Sequence, residues 1–406
     1  MNEEAGKSNN RANALMDQGR IDEALALYEQ SIVLDPTDPV PWNGKGNALE
    51  DLDRFEEALD AYNRAIELDP EDPYPWNGRA NVLVILERPA DGLDAYDRAI
   101  AIDEQDPYHW AGRGNALFDL GRRQEALECY DRSLAIDPSD PYPHKVRGEV
   151  LLSLDRIHES LAAFERALEL APDEAGYWVA RGRALSEVNR LEEALDSFAR
   201  ALDLDAELVD AWRGRGFALY WLGRDEDSLQ AFERAVDLDP TVAANWQGKG
   251  CVLRELGYAT EALGAFRLAL ILDPNAADAW SGKGDLLFDL ERQREALEAY
   301  RQATVLAPDH LDGLFGVGVT LLFFGRAGEA RIPLEKVVEL DSADASAWRA
   351  LGDVMGELGE TDAAAVAADR ATAIEAARST AVDRSRGRLR RWLAHLSRRC
   401  GDPAES

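Results

Sequence analysis

The sequence predicts an all-α solenoid: about eleven helix-turn-helix units and a C-terminal capping helix. Three observations predict it. The stretch Pro41–Pro70 recurs along the chain at a period of 34 residues, which marks stacked helical units. Each unit carries two stripes of apolar or small residues at spacings of four and three, the signature of two amphipathic helices. Proline and glycine punctuate the ends of those stripes at fixed positions.

Counting from residue 5, the units are 5–38, 39–72, 73–106, 107–140, 141–174, 175–208, 209–242, 243–276, 277–310, 311–344 and 345–378. Residues 1–4 are expected to form a tail. Each position within the 34 residues can be read as a column. In the first helix, column 4 is Trp in eight units, from Trp42 to Trp348, with Ser8, His144 and Leu314 as exceptions. Column 8 is Gly or Ala throughout, and column 11 is Leu until Met355. A large, a small and a medium residue on one face let a second helix approach closely. In the second helix, column 20 is small, column 24 is Tyr or Phe from Tyr28 to Tyr300, and column 27 is Ala or Ser until Val337. Column 15, with Gly19, Gly121, Gly223, Gly257, Gly325 and Gly359, supplies the turn between the helices. Column 32, Pro in seven units, ends the second helix and turns the chain into the next unit. Beyond Arg378 the period stops. Residues 379–400 read as a capping helix with Leu389, Trp392, Leu393 and Leu396 on one face and seven arginines over the rest, and 401–406 as a frayed tail.

This column pattern closely resembles the tetratricopeptide repeat family over residues 5–378. The shared marks are Trp in column 4, small residues in columns 8 and 20, an aromatic in column 24, Ala in column 27 and Pro in column 32. Leu in column 11, often Tyr in the family, is a mild departure. The last two units fit less well: Leu334 and Ala368 replace the aromatic, and Ser342 and Ala376 the proline. The resemblance implies antiparallel helix pairs stacked into a right-handed superhelix. In that arrangement columns 2, 5, 9, 12 and 13 of the first helices face a concave groove.

Composition excludes several function classes. Net charge is −32 and the isoelectric point about 4.5, so the whole chain should be repelled by nucleic acid and anionic lipid. Three scattered cysteines, Cys129, Cys251 and Cys400, form no disulfide framework and suit a reducing compartment. The N-terminus lacks the apolar core of a signal peptide, and no apolar run is long enough to span a membrane. A cytoplasmic protein is expected. The five histidines form no metal-binding spacing, no GxSxG occurs, and the abundant carboxylate pairs sit on solvated faces, so no catalytic residue, metal or cofactor is expected. Pairs such as Gly44–Gly46 and Gly248–Gly250 form GxG patterns, but they recur with the period in mid-helix, which marks packing, not nucleotide binding. The residue between them, column 7, is basic in nine units, from Arg11 to Lys283. It reads either as an anion-binding wall or, preferably, as stems packed over a neighbouring unit with heads meeting the corner aspartates Asp35, Asp69, Asp137, Asp239 and Asp273.

The groove columns carry the functional reading. Column 5 holds Asn9, Asn43 and Asn77, and column 9 holds Asn13, Asn47, Asn81 and Asn115. Asparagine offers a donor and an acceptor, so it can pair with the backbone of an extended peptide. The ladder resembles those of peptide-binding superhelices in the family, and it is equally explained as family consensus. Tyr74, Tyr108 and Tyr142 in column 2 rim the same segment. Further on, Lys145, Arg183, Arg213 and Arg254 bring positive charge that could select an acidic ligand. Phe217, Tyr220 and Trp221, with Phe288, Phe315 and Phe323, suggest an apolar binding patch. The first three units lack the groove cations of the family's carboxylate clamps, which argues against a chaperone-tail clamp.

The expected function is a non-catalytic scaffold that binds peptide segments of one or more partner proteins. Two alternatives stand beside it: an adaptor subunit of an enzyme complex, and an adaptor tethered to membrane or nucleic acid by its Arg-rich end. Self-association through the variant C-terminal units stays open.

Overall fold

The computed structural model describes residues 3–377. The expected capping helix over 379–400 and the tail over 401–406 lie outside them. The chain divides into two compact units, the first ending at Ala184 and the second beginning at Leu185.

The first holds the pairs α1 (Glu3–Met16) and α2 (Ile21–Leu34), α3 (Val40–Asp51) and α4 (Phe55–Leu68), α5 (Pro73–Ile85) and α6 (Pro89–Ile102), α7 (Pro107–Asp119) and α8 (Arg123–Ile136), and α9 (Pro141–Ser153) and α10 (Ile157–Leu170). Most of α11 (Ala175–Glu187) also belongs to it. The second holds α12 (Leu191–Leu204), then α13 (Val209–Leu222) and α14 (Asp225–Leu238), α15 (Ala243–Glu255) and α16 (Ala259–Leu272), and α17 (Ala277–Asp289) and α18 (Gln293–Leu306). It ends with α19 (Leu311–Phe323) and α20 (Ala327–Leu340), and α21 (Ala345–Glu357) and α22 (Thr361–Ala377). Among the described residues every regular element is a helix, paired as the 34-residue period predicts. Helix begins at Glu3, inside the segment expected to be a tail.

The tight inner turn has one conformation throughout. Column 15 is left-handed at all six glycines and also at Asp53, Glu87, Asp155, Asn189 and Glu291. The next residue's N–H reaches back to the column-11 carbonyl, as in Arg54 N to Leu49 O at 2.9 Å. This is the Schellman stop, which satisfies carbonyls the helix leaves open. Three first helices, α5, α7 and α9, start on Asp-Pro: Asp72, Asp106 and Asp140 accept from the N–H of Tyr74, Tyr108 and Tyr142, while Pro occupies the first helical position.

The glycine pairs are explained by the column-24 ring. A Cβ on Gly46 would stand 2.5 Å from the Tyr62 ring, and one on Gly78, in the next first helix, 2.4 Å from the same ring. Tyr62, Phe232, Phe266 and Tyr300 are thus each gripped between a glycine of their own unit and one of the following unit, and all four have no exposure. The column-4 tryptophans tie the outer corner: the indole N–H of Trp76, Trp178, Trp246 and Trp280 donates to the carbonyl of the column-32 proline at 2.9–3.1 Å.

Column 7 departs from the expectation: its stems lie over the Trp of their own helix, and its heads do not meet the corner aspartates. Lys45, Arg79, Arg215, Lys249 and Lys283 lie over the Trp three residues before them. Their charges meet acids in column 25 of the preceding second helix: Lys45 with Glu29, Arg113 with Asp97, Arg147 with Asp131. The corner aspartates are not the partners. Asp35, Asp69, Asp137, Asp239 and Asp273 accept instead from the N–H two residues ahead and shape the loop.

Contacts run between consecutive helices and between successive first helices, as in α3 with α5 and α15 with α17. No contact of comparable extent joins successive second helices among the described residues. The first helices therefore line the inner face of each unit, where the chemistry-bearing columns lie.

Candidate peptide-binding face

In the first unit the asparagine columns are partly consumed by the fold. Asn13, Asn47 and Asn115 each accept on Oδ1 from the column-24 tyrosine of their own unit, Tyr28, Tyr62 and Tyr130, at 2.7–2.8 Å. Asn81 accepts from Tyr96 in the same way. The pairing follows the sequence: where column 24 is Phe, as in Phe164 to Phe266, column 9 is no longer Asn. In the ninth repeat Tyr300 returns, and Asp285 takes its hydroxyl at 2.8 Å. Burial pushes the phenol pKa of Tyr62, Tyr96 and Tyr130 upward, so the hydroxyls stay protonated donors. The amide N–H groups of Asn47 and Asn81 are thus left for further bonding, not their oxygens. On Asn115 the amide nitrogen also donates, to Tyr142 Oη at 2.9 Å.

Column 5 lies deeper. Asn9 is buried, and the oxygens of Asn9 and Asn43 are enclosed without a hydrogen-bond partner. Asn77 Oδ1 sits 3.3 Å from Nδ1 of the buried His109. The column-2 tyrosines stand outside this layer: Tyr74, Tyr108 and Tyr142 are 57%, 66% and 42% exposed. They are anchored at the backbone by the Asp caps and project from three consecutive first helices.

The four groove cations do not act as a set. Lys145 pairs with Glu149 one turn on, at 2.9 Å, and Arg213 with Asp210 at 2.6 Å. Arg183 is exposed. Arg254 is buried and held by Glu255 at 2.6 Å, Asp285 at 2.8 Å and Asp289 at 3.8 Å. Its charge is compensated within the fold, so it offers little to an anionic ligand.

The aromatic group splits. Phe288 and Phe315 are core residues of the second unit, 1% and 0% exposed, and belong to no surface patch. Phe217, Tyr220 and Trp221 stay half-buried and line a cavity of about 450 Å³. Tyr220 and Trp221 stand edge to face with ring centroids 5.3 Å apart. The cavity opens among the first helices from α13 to α19, on columns 2, 5, 9 and 12 of consecutive units. The sequence reading passed over Gln247, Asp278, Ser281, Asp285, His310 and Asp312 on its walls. One signal pointed to them: column 2 changes from Tyr at 74, 108 and 142 to Asp at 210, 278 and 312. His310 caps α19 by accepting from Gly313 N on Nδ1, and its Nε2–H meets Asp278 at 2.8 Å. That bond holds the Asp278 carboxyl below its usual pKa. Cys251, on the same wall, has its thiol pushed by burial up to about 12 and is an inert neighbour.

Among the described residues, no group of His, Cys, Asp and Glu could hold a metal, and no helix is long and apolar enough to cross a membrane.

Comparison with known proteins places this architecture. No curated protein matches the chain in sequence. Among solved structures, Cut9 in the APC/C hetero-tetramer Cut9–Hcn1 is similar in fold, with a TM-score of 0.54 and 14% identity over 95% of each chain. Yeast Tom70 aligns over 97% of this chain and 96% of its own, at 15% identity and a TM-score of 0.47. YrrB, described as a tetratricopeptide-repeat protein with an unusual peptide-binding site, aligns over 47% of this chain and 98% of its own, at 25% identity and a TM-score of 0.39. The tetratricopeptide repeat family model matches residues 9–73, 145–208, 179–243, 248–310 and 284–345, and a second model of the same repeat matches 107–140. With helix pairs, columns and family models in agreement over most of its length, the chain belongs to the tetratricopeptide repeat family.

Proposed function

We propose that the chain is a non-catalytic protein-interaction scaffold and that its first unit binds an extended segment of a partner protein along the first-helix face. The observation that carries this reading is the row Tyr74, Tyr108 and Tyr142. Three large aromatics stand 42–66% exposed on consecutive first helices, although the Tyr74 ring meets His109 edge to face and the Tyr142 hydroxyl accepts from the Asn115 amide. Exposed aromatic rows suit recognition, because each ring buries much apolar area at little cost in side-chain entropy and keeps a polar tip for hydrogen bonding. Beside them the Asn47 and Asn81 amides supply donors for a peptide's carbonyls. Peptide segments of partner proteins are the ligand class; the family membership supports the same coarse role.

Affinity capture from the cell of origin, followed by mass spectrometry, tests this with wild type and Tyr74→Ala/Tyr108→Ala. Both side chains are exposed, so the variant should keep its helicity and melting profile. The expected outcome is a partner retained by wild type and lost, or weakened at least tenfold, with the variant. An identical captured set sinks the reading.

A further inference from the structure

We infer that the cavity among the first helices of α13 to α19 receives the side chain of an arginine presented by a partner's peptide segment. The inference rests on the scaffold reading only in assigning that arginine to a protein partner; the cavity's own chemistry selects the guanidinium.

The charge is of the right sign. Asp278, Asp285 and Asp312 line the cavity with His310, whose Nε2–H Asp278 already accepts, and with one permanent cation, Arg254. That cation is itself held by Asp285, Glu255 and Asp289 and is only 8% exposed. An acidic ligand would therefore enter a net negative site and find no available positive partner. A purely apolar ligand would strip water from the carboxylates without replacing it. Asp278, with a side chain 71% exposed, presents its carboxylate at the mouth while its Oδ1 is fixed by His310.

The walls are also right. Phe217, Tyr220 and Trp221 give aromatic surface beside the carboxylates. That combination suits a flat, weakly hydrated guanidinium, which stacks on rings and can pair bidentately with a carboxylate. The volume, about 450 Å³, falls within the roughly 300–1,000 Å³ of ligand-holding clefts.

A second, independent observation points to a ligand. Ser281 is 3% exposed and lines the cavity, yet its hydroxyl has no hydrogen-bond partner. Buried hydroxyls are nearly always paired. A guanidinium N–H entering between Asp278 and the rings would supply the missing donor.

The test uses the full chain and two probes, N-acetyl-arginine methylamide and N-acetyl-citrulline methylamide, which differ chiefly in charge. Ligand-observed NMR should show arginine binding at least tenfold tighter than citrulline, a contrast that needs no variant. Asp278→Asn/Asp312→Asn should bring arginine down to the citrulline level, and Ser281→Ala should weaken it several-fold. Should the double variant fold poorly, Trp221→Leu must weaken arginine instead. Equal binding of the two probes, binding of neither, or full affinity in folded variants overturns the inference. The full chain with Arg384→Gln, Arg386→Gln and Arg388→Gln must bind the arginine probe as wild type does. A tenfold gain there would make the chain's own Arg-rich end the occupant and overturn the partner assignment. Tyr74 and Tyr108 lie in the first unit, so failure here leaves the capture experiment standing, and the reverse.

Discussion

At the scale of single residues, polar side chains on the face of the first helices are committed to the fold. Glu50 illustrates it. Its carboxylate lies 2.8 Å from Tyr62 Oη and shares that hydroxyl's single proton with Asn47 Oδ1, at the same distance. Burial raises the Glu50 pKa, the Tyr62 hydrogen bond partly lowers it, and the neighbouring Asp51 raises it further. The folded value therefore exceeds the unfolded one, which is about 4.3. Between those two values the folded chain keeps a proton that the unfolded chain releases, so stability falls as pH rises through that window. Glu50→Gln keeps an acceptor and removes the charge. It should melt higher than wild type at pH 7.5, and the two should converge below about pH 4. Melting curves at both pH values check this; an equal shift at both would show that the effect is not ionisation.

At the scale of elements, every helix pair closes through one left-handed residue, and five of the eleven are not glycine. Asp and Asn tolerate that conformation, but Glu87 and Glu291 do so at a cost of roughly 1–2 kcal/mol relative to right-handed backbone. Glycine removes the steric term and gives back about 0.4–1 kcal/mol through a freer unfolded chain. Glu87→Gly is therefore expected to stabilise α5 and α6 by about 0.5–1 kcal/mol. Amide exchange in those helices should slow about two- to five-fold, with no effect on α1 and α2; faster exchange would contradict it.

At the scale of the molecule, the extensive contacts among the described residues of each unit join elements one or two apart, so damage should spread over neighbours and stop. Gly248 provides the test. A Cβ there would stand 2.1 Å from the fully buried Phe232 ring, which would have to shift. Gly248→Ala should cost roughly 1–3 kcal/mol, typical of overpacking. Hydrogen exchange should accelerate in α13–α16 and stay at wild-type rates in α3–α8. Acceleration throughout would show global cooperativity instead. The strongly acidic composition belongs to this scale too, because it sets a background in which a cationic segment is drawn to the surface before any specific contact forms.

The sequence by itself determined the architecture: period, helix pairs, turns and packing columns follow from side-chain size and backbone preference, which are local and repeat in every copy. Trp76, Gly78, Tyr96 and Pro70 are legible because the same contact recurs. What tertiary structure decided are the contacts that join different columns. The donor of Tyr62 to Asn47 spans fifteen residues, and only folding showed that the asparagine oxygens are spent. Arg254 looked like a free cation until three carboxylates from two first helices closed on it. The cavity needs Trp221, Ser281 and Asp312 from separate repeats to converge. Helical periodicity gives the face on which a residue lies, but charge pairing and concavity depend on distances between helices, which no spacing within one helix encodes.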